Sequence, residues 1–351
     1  MRLSQRQKKS KIRSFMLIEN RRYIGCKAKL VDWIIEVIER ETENVDSFCD
    51  IFAGTAVVSD KIIGSNNYKK VIINDFLYSN NIIYKAFFGV GECDRNKLIS
   101  KIEEYNLVDS VLLEDNYFSN NFGGKYFYLP VAKKIGYIRQ NIEDIKIELT
   151  EKEYCVLIAS LIYSIDRLAN TLGHYEAYIK KEIKPVDLYL ELIDYKECNN
   201  VLIYREDSNL LVRSIDADVF YVDPPYNSRQ YSRFYHLYET LVKWDMPQLH
   251  GVAMKPKAEN MSEYCSSRAV DAFSDLISNI KSRYIVVSYN NTYNPKSSSS
   301  KNKIALEEIK LILERKGETQ IFEHEHQFFN AGKTEFDNHK EILFVTKVNE
   351  K

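Results

Sequence analysis

A chain of 351 residues with 45% hydrophobic and 28% charged side chains and a formal net charge of −1 has the composition of a globular protein, long enough for one large domain or for a domain with a sizeable insertion. The near-neutral balance argues against a protein that coats nucleic acid through charge alone, yet leaves room for one basic face. No run of about 18 apolar residues occurs and no apolar segment follows the basic N-terminus, so neither a helical membrane span nor a secretory signal is expected.

Residues 1–14 carry Arg2, Arg6, Lys8, Lys9, Lys11 and Arg13 and no acid. They read either as an arm on phosphate or as a solvated, frayed terminus. Apolar residues at 30, 31, 34, 35 and 38 have helical spacing, with Gly25 as a bend before the helix. That puts Lys27 at the helix mouth, where the dipole disfavours a cation. A lysine there either meets an anion or is simply solvated. The six cysteines are scattered without metal-ligand spacing, so no metal site and a reducing, cytoplasmic location are expected.

Residues 48–60 read as a strand, a turn of small residues around Phe52, Gly54 and Thr55, and a helix start. Such a turn lets a ligand approach backbone N–H groups at a helix N-terminus. The next strand, 70–74, ends in Asp75, about 20 residues on, which is where a carboxylate meets ribose hydroxyls; a helix cap would look the same. Residues 76–119 are mixed helix without recognisable chemistry. From 120 to 200 the character changes. A Gly- and aromatic-rich loop precedes Lys133, Lys134 and Arg139, then a long apolar helix over 153–168, then a segment containing His174. Basic and aromatic residues interleave here as nucleic-acid contacts require, though a solvated face over core aromatics would look similar. His174 has no Cys or His partner nearby, so it is read as structural or as a DNA contact. Residues 201–204 form another strand, followed by Asp207, a cap or a ligand contact.

The run Val219–Val222 is a buried strand by composition, and it must stop at Asp223 because Pro224 and Pro225 bias the residues before them away from helix and cannot donate to a ladder. The strand end therefore presents a carboxylate, carbonyl groups and the ring of Tyr226, which suits a planar amine. Polar residues and two arginines follow from Asn227 to Arg233, then a helix from Tyr235. A strand over 284–290, a helix over 304–316 and a closing hairpin, with strands at 324–329 and 341–346 and a loop over 331–340, complete the chain.

Asp223-Pro224-Pro225-Tyr226, continued as Asn227-Ser228-Arg229-Gln230-Tyr231 and followed by Tyr235-His236 and Glu239-Thr240, resembles the alpha-type, D12-class DNA adenine-N6 methyltransferases of type II and IIS restriction-modification systems. The resemblance implies a doubly wound, Rossmann-like α/β sheet. Its domains would be a cofactor-binding half in 1–119, a target-recognition region in 120–200 and a catalytic half in 201–351. It implies S-adenosylmethionine as cofactor, with Tyr23 and Lys27 on its carboxylate side, Phe52, Gly54 and Thr55 in the cofactor loop, Asp75 on the ribose, Asp207 beside the adenine ring, and Asp223 near both cofactor and substrate. Asp223 and the Pro224 carbonyl would accept the amine protons, Pro225 would hold the turn rigid, and Tyr226 would stack on a flipped base in double-stranded DNA. Arg139, His174, Arg229, Tyr231 and Arg233 are the DNA-contact candidates. Cys26 and Ala56 stand where the family usually has glycine. A monomer with a cognate restriction endonuclease is expected. An amine methyltransferase acting on RNA or another substrate, and an inactive DNA-binding homologue, are the alternatives.

Overall fold

The computed structural model describes residues 16–292, 301–325 and 340–349. The basic arm 1–14, the strand positions 326–329 and the loop 331–339 expected from the sequence lie outside the described residues.

Seven strands form one sheet: β1 Ser47–Asp50, β2 Lys70–Asn74, β3 Val201–Tyr204, β4 Val219–Val222, β5 Tyr284–Asn290, β6 Gly317–Glu325 and β7 Lys340–Val348, in the order β3-β2-β1-β4-β5-β7-β6. The strands from β3 across to β5 are parallel, and β7 runs antiparallel to both its neighbours. Strands covered on both faces read as continuous apolar runs, and β4 is buried at all its positions. The two-residue period of a strand then sorts side chains between two cores. Phe48, Val71, Ile73, Val219, Tyr221 and Val286 point to one, and Cys49, Ile72, Phe220, Val222, Ile285 and Val287 to the other.

The chain leaves β1 toward β2 on one side and pairs β1 with β4 on the other. This reversal opens a crevice beyond the carboxyl ends of β1 and β4, the usual ligand position in such a sheet. Because β7 is antiparallel, its amino end lies at the same edge, with Glu341 opposite Asn290.

The helices Leu129–Asp144 and Glu151–Asp166 pack into the first core together with the helix Tyr78–Phe88. The second of these is capped by Thr150, whose side chain accepts from the Glu153 N–H. Buried polar groups close the ends of the helix Tyr78–Phe88. Glu239 accepts from the N–H groups of Tyr78 (3.0 Å) and Ser79 (2.9 Å). Lys152 donates to the carbonyls of Lys85 (3.2 Å) and Gly89 (2.7 Å) at the other end. Each satisfies backbone groups that a helix terminus leaves open.

The closing hairpin departs from expectation. β6 begins at Gly317 rather than at His324. It is an edge strand with only alternate, partial burial, so its polar outer positions hid it from a reading based on apolar runs. Among the described residues no helix is long and apolar enough to cross a membrane, and no cluster of His, Cys, Asp and Glu could hold a metal ion.

Candidate active site

The crevice is a cavity of about 1370 Å³, and Tyr23, Lys27, Phe52, Gly54, Thr55, Asp75, Asp207, Asp223, Pro224, Pro225, Tyr226, Arg229 and Tyr231 all line it. The turn after β1 is tied to β2: Asp75 accepts from the Gly54 N–H at 3.0 Å and from the Leu77 N–H at 2.9 Å. Gly54 has φ +54, and a Cβ there would meet the Tyr23 ring at 3.5 Å. Ala56 sits at φ 58, in the left-handed region, and is fully buried. The strain of a non-glycine residue there is roughly 1–2 kcal/mol, and the buried methyl returns about 0.8 kcal/mol, so this departure from glycine costs about 1 kcal/mol or less. At the other departure it is Gly25, at φ +80, that requires glycine, and a Cβ there would come within 3.0 Å of the Tyr231 hydroxyl; Cys26 takes no such conformation.

Tyr23 stands in a column of rings, stacked on Tyr235 at 4.4 Å and on Tyr231 at 5.3 Å. Asp207 caps the short helix after β3, accepting from Asn209 N–H at 2.9 Å and Leu210 N–H at 3.2 Å, while also facing the cavity. The two readings of this residue are therefore compatible. Phe52 packs edge-on against Tyr264 at 5.1 Å. The Thr55 hydroxyl lies 3.5 Å from the Cys26 sulfur.

Asp50, at the end of β1, escaped the sequence reading. Its Oδ2 accepts from Ser59 at 2.8 Å, but its buried Oδ1 has no partner. Burial pushes its carboxyl up to about 8, against the Ser59 hydrogen bond. A buried carboxylate oxygen without a partner in a ligand cavity calls for a cationic or hydrogen-bonding group of the ligand. The signal was present in sequence: an acid closing an apolar strand just before the small-residue turn.

The carboxyl end of β4 forms a second, tighter cluster. The Lys27 ammonium lies 3.2 Å from Asp223 Oδ1, 2.8 Å from Glu341 Oε1 and 2.6 Å from the Tyr226 hydroxyl. Tyr226 donates its hydroxyl proton to Asp223, lies 3.0 Å from Glu341, and packs its ring against Tyr289 at 4.5 Å. Thus Lys27 points at carboxylates of the protein itself, and the Tyr226 ring is not an open platform. Burial raises the Asp223 carboxyl to about 6; Lys27 opposes that rise and Glu341 adds to it. Burial alone would depress Lys27, yet Asp223 and Glu341 hold its ammonium above the ordinary value. Glu341 gave no local signal in the sequence, since it lies 115 residues from Tyr226 and the sheet alone brings it here.

Beside the cavity mouth, His174, Arg229, Arg233 and Phe234 line a smaller hollow of about 330 Å³. His174 stacks on Phe234 at 4.8 Å, and burial lowers its pKa. Arg233 donates to the Pro256 carbonyl at 2.8 Å, and the Arg229 guanidinium lies 5.7 Å from the Phe234 ring. Arg139 is a correction. It is fully buried and donates to the carbonyls of Leu241 (2.7 Å) and Val242 (3.2 Å), with Glu143 at 2.9 Å. It caps the helix His236–Lys243 and is closed to DNA; its helical spacing from Ile135, Ile138 and Ile142 placed it on the inner face.

Residues 23–331 match the family described as D12 class N6 adenine-specific DNA methyltransferase. The chain belongs to that family. It is 31% identical over 342 residues to the type II methyltransferase M.NlaIII of Neisseria lactamica, covering 91% of this chain and 95% of that one. It is 34% identical over 320 residues to the type II methyltransferase M.FokI of Planomicrobium okeanokoites, covering 84% of this chain and 47% of the relative, so it spans about half of that longer protein. The type II methyltransferase M.CviAII of Paramecium bursaria Chlorella virus 1 is 28% identical over 317 residues, covering 88% and 92%. As a D12-class enzyme the chain is a site-specific DNA adenine-N6 methyltransferase that draws its methyl group from S-adenosylmethionine.

Proposed function

We propose that this methyltransferase acts on an adenine swung out of double-stranded DNA at one short recognition sequence, and that it is the modifying half of a restriction-modification pair. The observation that carries the reading is Asp223-Pro224-Pro225-Tyr226 at the rim of a cavity that also holds Asp50, Gly54 and Asp75. In a stacked duplex the N6 amine is out of reach of a carboxylate enclosed in such a cavity, so the base must be extruded.

The cavity residues fit the cofactor. The partnerless oxygen of Asp50 suits an ammonium such as that of its methionine portion, and Asp75 suits the ribose hydroxyls. When bound, S-adenosylmethionine supplies a methyl group already activated by a sulfonium. Asp223 and the Pro224 carbonyl accept the two protons of the amine, which favours a nitrogen lone pair directed at the methyl and stabilises positive charge as it develops. To serve as acceptor, Asp223 must release the Tyr226 hydroxyl. The freed Tyr226 ring then stacks on the extruded base and fixes its position. Arg229, Arg233, His174 and Tyr231 form the DNA-facing rim, joined by the part of 120–200 that reaches the cavity, Thr171 to His174. The working form is a cytoplasmic monomer.

Sequencing of modified bases in DNA from cells expressing the protein tests the reading. N6-methyladenine confined to one short sequence is expected. Adenines left unmodified throughout, with the protein expressed and folded, would contradict it.

A further inference from the structure

We infer that Glu341 is a positioning residue for methyl transfer: its carboxylate holds the Lys27 ammonium off Asp223 and so keeps Asp223 available to the substrate amine. The inference rests on the reading of Asp223 as the acceptor of the amine protons.

The geometry shows a division of one cation between two acids. Lys27 is 2.8 Å from Glu341 and 3.2 Å from Asp223, so the nearer partner is the one that takes no part in binding the amine. The Lys27 and Glu341 side chains are 6% and 4% exposed, and the pair has little water to compete with it. Glu341 is fixed in turn by the Ser288 hydroxyl, which donates to it at 2.8 Å. Ser288 belongs to β5, and the antiparallel register of β7 sets Glu341 beside the carboxyl end of that strand. The arrangement thus depends on sheet architecture and not on a mobile loop.

A lysine facing Asp223 alone would form a tighter pair with it. An amine approaching Asp223 would then have to displace an ammonium, which binds a carboxylate more strongly than a neutral amine does. A second carboxylate on the far side of Lys27 weakens that competition. Two carboxylates sharing one ammonium also leave the cluster net negative, which suits a transition state in which positive charge develops on the amine nitrogen.

The groups acting on Asp223 come from several elements. Lys27 precedes the helix Val31–Glu41, Asp50 ends β1, Tyr221 lies in β4, Tyr226 is in its own loop and Glu341 is in β7. Of these, Lys27 favours the ionised form of Asp223, and Glu341 disfavours it. Replacing Glu341 by a neutral residue removes a negative neighbour and leaves Lys27 to Asp223. The acid limb of activity then moves to lower pH while turnover falls, a combination that general loosening of the fold does not produce.

The test is single-turnover methylation of a duplex oligonucleotide carrying the site found by sequencing, followed over about pH 5 to 9, with S-adenosylmethionine affinity measured by calorimetry. For Glu341→Gln the expected result is a rate lower by about tenfold, an acid limb at lower pH and a cofactor affinity within about twofold of the parent. In a Lys27→Met background, Glu341→Gln should lower the rate no further, because that effect runs through Lys27, while the direct field of Glu341 on Asp223 still moves the limb. If Glu341→Gln does not fold, Glu341→Asp carries the test. It keeps the charge but shortens the reach, so the rate should fall with the limb near its original position. A parent-like rate and limb in Glu341→Gln, or a parent-like rate in Glu341→Asp, overturns the inference. So does an equal loss of rate from Glu341→Gln with and without Lys27. Asp223→Ala runs alongside as the control: full activity there would refute the reading of Asp223 itself, independently of Glu341.

Discussion

At the scale of single residues, two acids have ionisation set by the fold. Asp223, raised by burial to about 6, must be ionised to accept from the amine, so activity falls as pH drops through that region. The Tyr226 hydroxyl opposes the rise. Tyr226→Phe therefore moves the acid limb to higher pH, opposite to the shift for Glu341→Gln, and retains much of the rate because stacking uses the ring face. A pH profile of kcat/KM, which reports the free enzyme in which Tyr226 still donates to Asp223, checks this; a limb that moves down or not at all refutes it. Asp50 is raised by burial to about 8. Between the ordinary carboxyl range near 4 and about 8, the folded protein keeps a proton that the unfolded chain has lost, so stability falls as pH rises through that window. Asp50→Asn removes the dependence. Melting followed from about pH 5 to 8 should show a flatter profile for the variant, together with cofactor affinity lower by about tenfold. Parallel melting profiles would contradict the assignment.

At the scale of elements, the sheet was legible where its strands are buried on both faces. β2 and β4 fall where apolar runs ended by an acid or by Pro224 placed them, because such strands leave little else for the sequence to be, and the edge strand β3, exposed at Leu202, was placed by its short run of β-formers alone. The edge strand β6 was misplaced because only alternate positions are even partly covered. Arg139 shows the limit more sharply. A basic residue among aromatics looks the same in sequence whether it faces phosphate or caps a neighbouring helix. Only the packing of Leu129–Asp144 against His236–Lys243 decides, and it places the guanidinium on two carbonyls. Arg139→Met should therefore lower stability by about 1–3 kcal/mol, through the stranded carbonyls of Leu241 and Val242, and leave DNA sequence preference unchanged. Denaturant unfolding beside sequencing of modified bases checks both; an altered recognition sequence in a fully stable variant would restore the DNA-contact reading.

At the scale of the whole molecule, the crossover order of the sheet gathers residues from the ends of β1, β2, β3 and β4 around one cavity, and the antiparallel β7 adds Glu341 from near the far end of the chain. The local motifs, the turn at Gly54, the strand end at Asp75 and the run Asp223 to Tyr226, were readable because each is complete within a strand end and its turn. The partnership of Lys27 with Asp223 and Glu341 was not, because it joins segments that only the folded sheet brings together. The central claim is that the Asp223 carboxylate accepts from the adenine amine within this cavity. The most direct measurement is single-turnover methylation by Asp223→Ala on a duplex carrying the recognition sequence, with cofactor binding confirmed on the same sample. Turnover should fall by at least about a thousandfold with the cofactor still bound; turnover equal to the parent would contradict the role of Asp223.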